Sequence, residues 1–253
     1  MMIRARLGGC VGALAVCLCC PALALGAAGA TIASAPGVTY GQQEFGNLLQ
    51  DASVCTGDQG CQTYWQLNVT AGDHIKIDFH SATTESALVV GAYAVGTTDY
   101  NRAQTSPEFS DESASTGYGE LTFVAPRTGM MPLDMYFGYD AYQGQPGPYD
   151  FTAYVSHAML VSIAPHNNPA THTTALQTAV HNPDGVPISV QGLTETIAIK
   201  YHGQWETAWT GAASASKTIR WNATLRGHKQ SVRVTMSGPS YLTASATVRV
   251  LAA

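Results

Sequence analysis

The sequence is short of charge. Asp, Glu, Lys and Arg together make up 11% of its 253 residues, against a usual share of about 25%. With 45% hydrophobic residues, that scarcity excludes a disordered chain, which combines few apolar residues with many charges. It excludes a coiled coil as well, because the Glu, Lys and Arg that such helices need are missing. A net charge of −5 excludes a strongly basic nucleic-acid binder. No stretch after Thr31 is long and apolar enough to span a bilayer. The local signatures of catalysis are absent too: there is no Gly-x-Ser-x-Gly, no His-Glu-x-x-His, no phosphate loop and no dinucleotide fingerprint. A Ser-His-acid site dispersed along the chain leaves no such signature. A hydrolase of that kind therefore ranks third among the functional readings, the chain is read as a non-enzyme, and no catalytic residue is assigned.

What is present begins with an address. Arg4 and Arg6 precede an uncharged apolar run from Leu7 to Leu25, and small residues follow it. This is the layout of a secretory signal peptide over residues 1–30, with the cut after Ala30 in Ala28-Gly29-Ala30 and rival sites at Ala24 and Ala28. The expected product is secreted, periplasmic or extracellular, with no membrane insertion after cleavage. Four of the six cysteines fall in that leader, and only Cys55 and Cys61 remain. Two cysteines in an oxidising compartment have one way to pair. A zinc site would need two further soft ligands nearby, and none is there. The expectation is a Cys55–Cys61 disulfide that pins a Gly-rich loop.

The remainder divides by charge near residue 158. Residues 31–157 hold three Lys and Arg against fourteen Asp and Glu, a net of −11. Residues 158–253 hold seven against three, a net of +4. Both halves read as β. The run 73–80 (DHIKIDFH) alternates strictly, with Ile75, Ile77 and Phe79 on one side and His74, Lys76, Asp78 and His80 on the other. Runs 133–137 and 149–155 repeat the pattern, with shorter candidates at 121–124 and 87–90. The acidic stretch 100–118 reads as a long loop. In the second half, strands are expected at 159–164, 174–180, 188–190, 194–201, 218–225, 231–236 and 244–251. Asn182-Pro183-Asp184-Gly185 supplies a turn. The segment 164–169 (APHNNP) reads as a linker or a loop after the first strand. Some seven short strands in this length suit an immunoglobulin-like sandwich. The expected fold is therefore all-β: two β-sandwich domains in tandem, jelly-roll-like and then immunoglobulin-like.

Three segments of the first half, 64–77 (YWQLNVTAGDHIKI), 121–129 (LTFVAPRTG) and 147–155 (GPYDFTAYV), resemble the bacterial pre-peptidase C-terminal domain in content and order. The resemblance covers roughly residues 60–156. It implies a small β-sandwich of the kind attached to secreted bacterial peptidases, which aids secretion or binds matrix or polysaccharide, in some members with calcium. The second half is similar to the immunoglobulin-like modules that trail such proteins.

Candidate sites are few. His74 and His80 share a strand face but stand about 20 Å apart at strand rise, too far to share a metal. Calcium seeks six to eight oxygens, and Glu108, Asp111 and Glu112 with Asp99 offer an acidic loop for it; a solvated loop is the alternative. Tyr136, Tyr139, Tyr142 and Tyr149, with Asp140 among them, combine flat rings and a carboxylate, the chemistry that holds sugars; hairpin-end tyrosines packed on the sandwich edge are the alternative. Trp205, Trp209 and Trp221 read as core. The leading expectation is a secreted binding or adhesion protein that contacts an extracellular polysaccharide or protein through sandwich-end loops. The runner-up is an accessory targeting or secretion module of a secreted hydrolase system.

Overall fold

The computed structural model describes residues 28–29, 31–51, 55–56, 60–82, 87–98, 107–113, 116–137 and 147–253. Most of the signal-peptide segment lies outside these residues, as do Asp99, Tyr139, Asp140 and Tyr142.

Strand alternation builds the first sandwich from two antiparallel sheets. One is ordered β1 (Gln43–Asn47), β9 (Pro148–Ser156), β4 (His74–Ser81), β7 (Tyr118–Val124). The other is ordered β2 (Cys55–Thr56), β3 (Gly60–Val69), β8 (Gly129–Phe137), β5 (Leu88–Ala92), β6 (Phe109–Glu112). A single helical turn, Leu48–Asp51, follows β1. Ile75, Ile77 and Phe79 of β4 turn inward with Phe151 and Ala153, and meet Trp65, Leu67, Leu133 and Met135 from the other sheet. Trp65 and Phe151 pack edge to face with centroids 5.2 Å apart. The Tyr149 hydroxyl crosses between the sheets, 2.6 Å from Thr63 Oγ1 and 2.9 Å from the Trp65 indole nitrogen that donates to it. This satisfies polar groups that would be costly to bury unpaired.

At the start of this sandwich, Gly29 exchanges two backbone hydrogen bonds with Tyr64, and Ala28 is buried in the core. Cleavage after Ala30 would remove these contacts, whereas cleavage after Ala24 would keep them.

The second sandwich pairs a three-stranded sheet, β10 (Leu160–Asn168), β11 (Thr173–His181), β14 (Ser216–Arg220), with a four-stranded one. The latter runs β13 (Gln204–Ala212), β12 (Thr194–Tyr201), β15 (Lys229–Gly238), β16 (Tyr241–Leu251). Its core gathers Leu176, Ile197, Trp221, Val232, Val234 and Met236. The two hydrophobic clusters share no residue: one draws on positions up to 155, the other on 159 onward.

Several expectations change. The segment 164–168 is neither linker nor loop but the second half of β10. Pro165 is tolerated there because β10 is an edge strand, where a missing N–H costs the ladder nothing on the open side. Residues 109–112, expected in a long loop, form β6 and pair with β5 at the sheet edge. Residues 188–190 form no strand; Ile188 only donates its N–H to Val180 O, at 2.8 Å. β13 was not foreseen. It folds back on β12 through the two-residue turn His202-Gly203, whose φ values of 45° and 85° suit the tight hairpin geometry that glycine accepts readily. Of the three tryptophans expected in the core, Trp221 is buried there, Trp209 packs against it half-buried, and Trp205 stands apart from it.

Glu195 is an anomaly inside this core. It is fully buried, its Oε2 has no hydrogen-bond partner among the described residues, and Thr178 Oγ1 reaches Oε1 only at 3.5 Å. Burial raises its carboxyl pKa above the ordinary range, against the opposing pull of the Ser214 backbone, the Lys217 charge and Thr178. A raised folded pKa means that this group's stabilisation is complete below the unfolded value of about 4.3 and is lost as pH rises through the folded one. Glu195→Gln is neutral at every pH. We expect its melting temperature to match the parent near pH 3.5 and to exceed it increasingly toward pH 7. Equal melting curves at both pH values would refute the assignment.

Candidate functional site

The outward residues of the first four-stranded sheet form a surface set by register. His80 of β4 stands between Tyr118 of β7 and Asp150 of β9. Asp78 stands between Glu120 and Thr152, and Lys76 between Thr122 and Tyr154. β1 extends the rows, placing Phe45 across from Asp150 and Gln43 across from Thr152.

Two shallow clefts run along this face. One, of about 530 Å³, is lined by Asp78, His80, Tyr118, Glu120, Asp150 and Thr152. In it His80 Nδ1 donates to Asp150 Oδ2 at 3.1 Å, and Gln43 Nε2 donates to the other carboxylate oxygen at 2.9 Å. With one nitrogen so held, the imidazole lies flat on the Tyr118 ring, centroids 4.2 Å apart and planes 24° apart. Tyr118 itself is 63% exposed. The second cleft, of about 490 Å³, is lined by His74, Lys76, Thr122, Val124, Tyr154 and Ser156. Lys76 sits 3.0 Å from Glu120 and 3.1 Å from Asp78. Hydrogen bonds to Glu120 and then Asp78 hold its ammonium pKa above the usual lysine value. Its Nζ also lies 6.0 Å from the centroid of the exposed Tyr154 ring. The face thus offers aromatic rings in fixed orientation beside paired carboxylates and one cation. Among the described residues His80 hydrogen-bonds no Ser, Thr or Cys.

A second constellation, this one centred on a buried carboxylate, lies where the two sandwiches join. Asp73 is fully buried in the turn before β4. It accepts hydrogen bonds from Thr70 N at 2.9 Å, His157 Nδ1 at 3.1 Å and Ala158 N at 3.1 Å. Gly72 beside it has φ of 81°, and a Cβ there would meet Ala158 Cβ at 3.0 Å, so both backbone and space call for glycine. His157 continues into the second sandwich, donating its N–H to Ser240 O and accepting from Leu242 N. Thr128 also donates to Asp184 across the junction. The Tyr40 phenol, burial acting first and the Asp73 charge second, is pushed well above its usual pKa.

Of the sequence-derived ligand residues, Tyr136, Glu108, Asp111 and Glu112 lie among the described residues. Tyr136 lies on β8, across from Gln62 and Val89, in the sheet opposite to the His80 face. Asp111 and Glu112 are consecutive in β6, across from Val90 and Val89, so their side chains leave the strand on opposite sides. Asp111 Oδ1 accepts the Glu112 N–H at 2.8 Å. Glu108 precedes this strand and donates its own N–H to Ala92 O. Among the described residues no group of three or more His, Cys, Asp or Glu is placed to hold a metal ion. Cys55 lies directly across the β2–β3 ladder from Cys61, within the Cα range that a disulfide spans. Cys61 is buried and disulfide-bonded. No helix among the described residues is long and apolar enough to cross a membrane.

No family model matches the chain, and no curated protein matches it. Among solved structures, it is similar to PliG of Aeromonas hydrophila, a periplasmic inhibitor of g-type lysozyme. There the identity is 13% and the TM-score 0.33, over 47% of this chain and 94% of that one. It is also similar to the adhesin domain of Epf from Streptococcus pyogenes, at 11% identity and TM-score 0.33, over 76% of both chains. A third similarity, to the glycoside hydrolase domain of Endo-D from Streptococcus pneumoniae, has 11% identity and TM-score 0.26, and covers 82% of this chain but 32% of that one.

Proposed function

We propose that the chain is an exported, non-catalytic binding or adhesion protein that holds an extracellular glycan on the outer face of its first four-stranded sheet. The observation that carries this reading is the Tyr118–His80–Asp150 stack. An exposed ring is backed by an imidazole that a carboxylate holds in place, so the platform is organised before a ligand arrives. A sugar ring needs an apolar flat surface for its C–H face and oriented polar groups for its hydroxyls. Tyr118 supplies the first, and Asp78, Glu120 and Thr152 line the same cleft as the second. Its volume lies within the range of about 300–1,000 Å³ usual for small-ligand sites. Contact is thereby placed on a sheet face rather than on the sandwich-end loops expected from sequence. The pre-peptidase C-terminal resemblance favours a second reading, an accessory targeting or secretion module of a secreted hydrolase system.

The test is a glycan array followed by titration of the best ligand. Tyr118→Ala is expected to weaken binding by roughly ten-fold, about 1.4 kcal/mol, with an unchanged melting temperature because the ring is exposed. A protein that binds no glycan, or a Tyr118→Ala variant that binds as tightly as the parent, would overturn the reading.

A further inference from the structure

We propose that the second sandwich carries a separate site for an acidic polysaccharide, at the end of its four-stranded sheet farthest from the first sandwich. Four of the seven Lys and Arg of this half stand on one face there. Val232, Val234, Met236 and Val250 turn into the core. Alternation then puts Lys229, Arg233 and Arg249 on the outer side of β15 and β16. Lys200 of β12 joins them from across Trp205 of β13. The two carboxylates in these strands, Glu195 and Glu206, stand across from Met236 and Ile199, on the core-directed parity. The outer face therefore holds four cations and no acid, and among the described residues none of the four makes an ion pair.

The cluster is shaped as well as charged. The Arg233 guanidinium lies 4.5 Å from the Trp205 ring centroid, reaching over β12 where the small Ala198 stands between their strands. Stacking holds the planar fork in place while its N–H groups stay available for a carboxylate or sulfate. Along the same face, rows of hydroxyls continue toward the junction: Thr210 and Thr196 at 3.2 Å, then Thr235 and Ser245 at 2.8 Å. A flat, extended surface with cations at one end and hydroxyls along it matches an extended, hydroxyl-rich polyanion. The junction contacts use Ser240 and Leu242 at the other end of β15 and β16, about 30 Å from Lys229 at strand rise. The first sandwich thus leaves the patch open. This site is independent of the Tyr118 face, so either can fail alone.

The experiment uses the purified full chain with alginate and polygalacturonate as probes, dextran as the neutral comparison, and duplex DNA as a non-saccharide polyanion. Alginate or polygalacturonate should bind in a salt-dependent manner, and dextran should not bind through this face. Lys200→Gln/Arg249→Gln is expected to weaken polyanion binding ten-fold or more and to flatten the salt dependence by up to about one log unit per cation removed. Trp205→Ala, which removes the support of Arg233, should weaken it several-fold. The charge-matched pair Arg127→Gln/Arg220→Gln, off this face, should bind as the parent does. The proposal is overturned if neither polyuronate binds, if the two double variants lose affinity equally, or if DNA binds as tightly as the polyuronates. It is also overturned if Lys200→Gln/Arg249→Gln abolishes only self-association of the chain.

Discussion

Asp73→Ala is expected to cost the first sandwich about 2–6 kcal/mol, the loss when a buried acceptor is taken from two backbone donors. The carboxylate is fully buried and accepts from Thr70 N, His157 Nδ1 and Ala158 N. Truncation leaves two backbone N–H groups without their acceptor, each a desolvation loss of about 1–3 kcal/mol. His157→Ala should cost far less, roughly 1 kcal/mol, because that ring is 39% exposed and water can replace it. Asp73→Asn should fall between, since its amide oxygen can still accept from Thr70 N and His157 Nδ1 while its NH₂ then faces the Ala158 N–H. Denaturant titrations of the three variants check the order. A shift for Asp73→Ala no larger than that for His157→Ala would show that the buried carboxylate is not what holds the junction. The same residue caps the turn before β4 and fastens the chain leaving β9, so the loss should also loosen the relation of the sandwiches. Small-angle scattering of Asp73→Asn would report that as a broader set of shapes at unchanged secondary structure.

How much of this was legible in the sequence depends on the range of the interaction. β4 was readable because its alternation is local: Ile75, Ile77 and Phe79 bury, and their neighbours do not. β12 likewise runs over the same residues that the pattern proposed. β10 was cut short because Pro165 normally ends an inner strand, and nothing local says that β10 lies at an edge. β13 is hard to read from sequence because it is an edge strand whose two tryptophans differ: Trp209 packs against the core under Lys217, and Trp205 lies outside it under Arg233. The candidate site fails to show for a different reason. His80 and Asp150 are 70 positions apart, and they meet only because β4 lies between β7 and β9. No short-range pattern encodes that strand order. A combination of ring and carboxylate occurs on three strands of the sheet opposite Tyr136; Tyr139, Asp140 and Tyr142 lie outside the described residues. The basic face of the second sandwich was visible only as a net charge; register concentrates it on one end of one sheet.

Trp221→Ala should destabilise the second sandwich by about 3–5 kcal/mol, the usual cost of removing a large buried aromatic, and should leave the first nearly untouched. Trp221 is 2% exposed in a cluster that shares no residue with the first core. Its indole N–H donates to Thr174 Oγ1 at 2.7 Å, and Thr174 in turn donates to Asn167 Oδ1 at 2.8 Å. The ring thus anchors β11 and, through Asn167, the edge strand β10. Trp221→Phe keeps most of the volume and leaves the Thr174–Asn167 bond in place, so about 1–2 kcal/mol is expected from the lost donor and the small residual cavity. Hydrogen exchange distinguishes the outcomes amide by amide. In Trp221→Ala, protection should fall in β11, β12 and β15 while β3, β4 and β8 keep theirs, because cooperative opening follows contiguous packing. An equal loss of protection in both sets would mean that Asp73 and the other junction contacts couple the sandwiches into one cooperative unit, and the two cores could then no longer be treated as separate sources of stability.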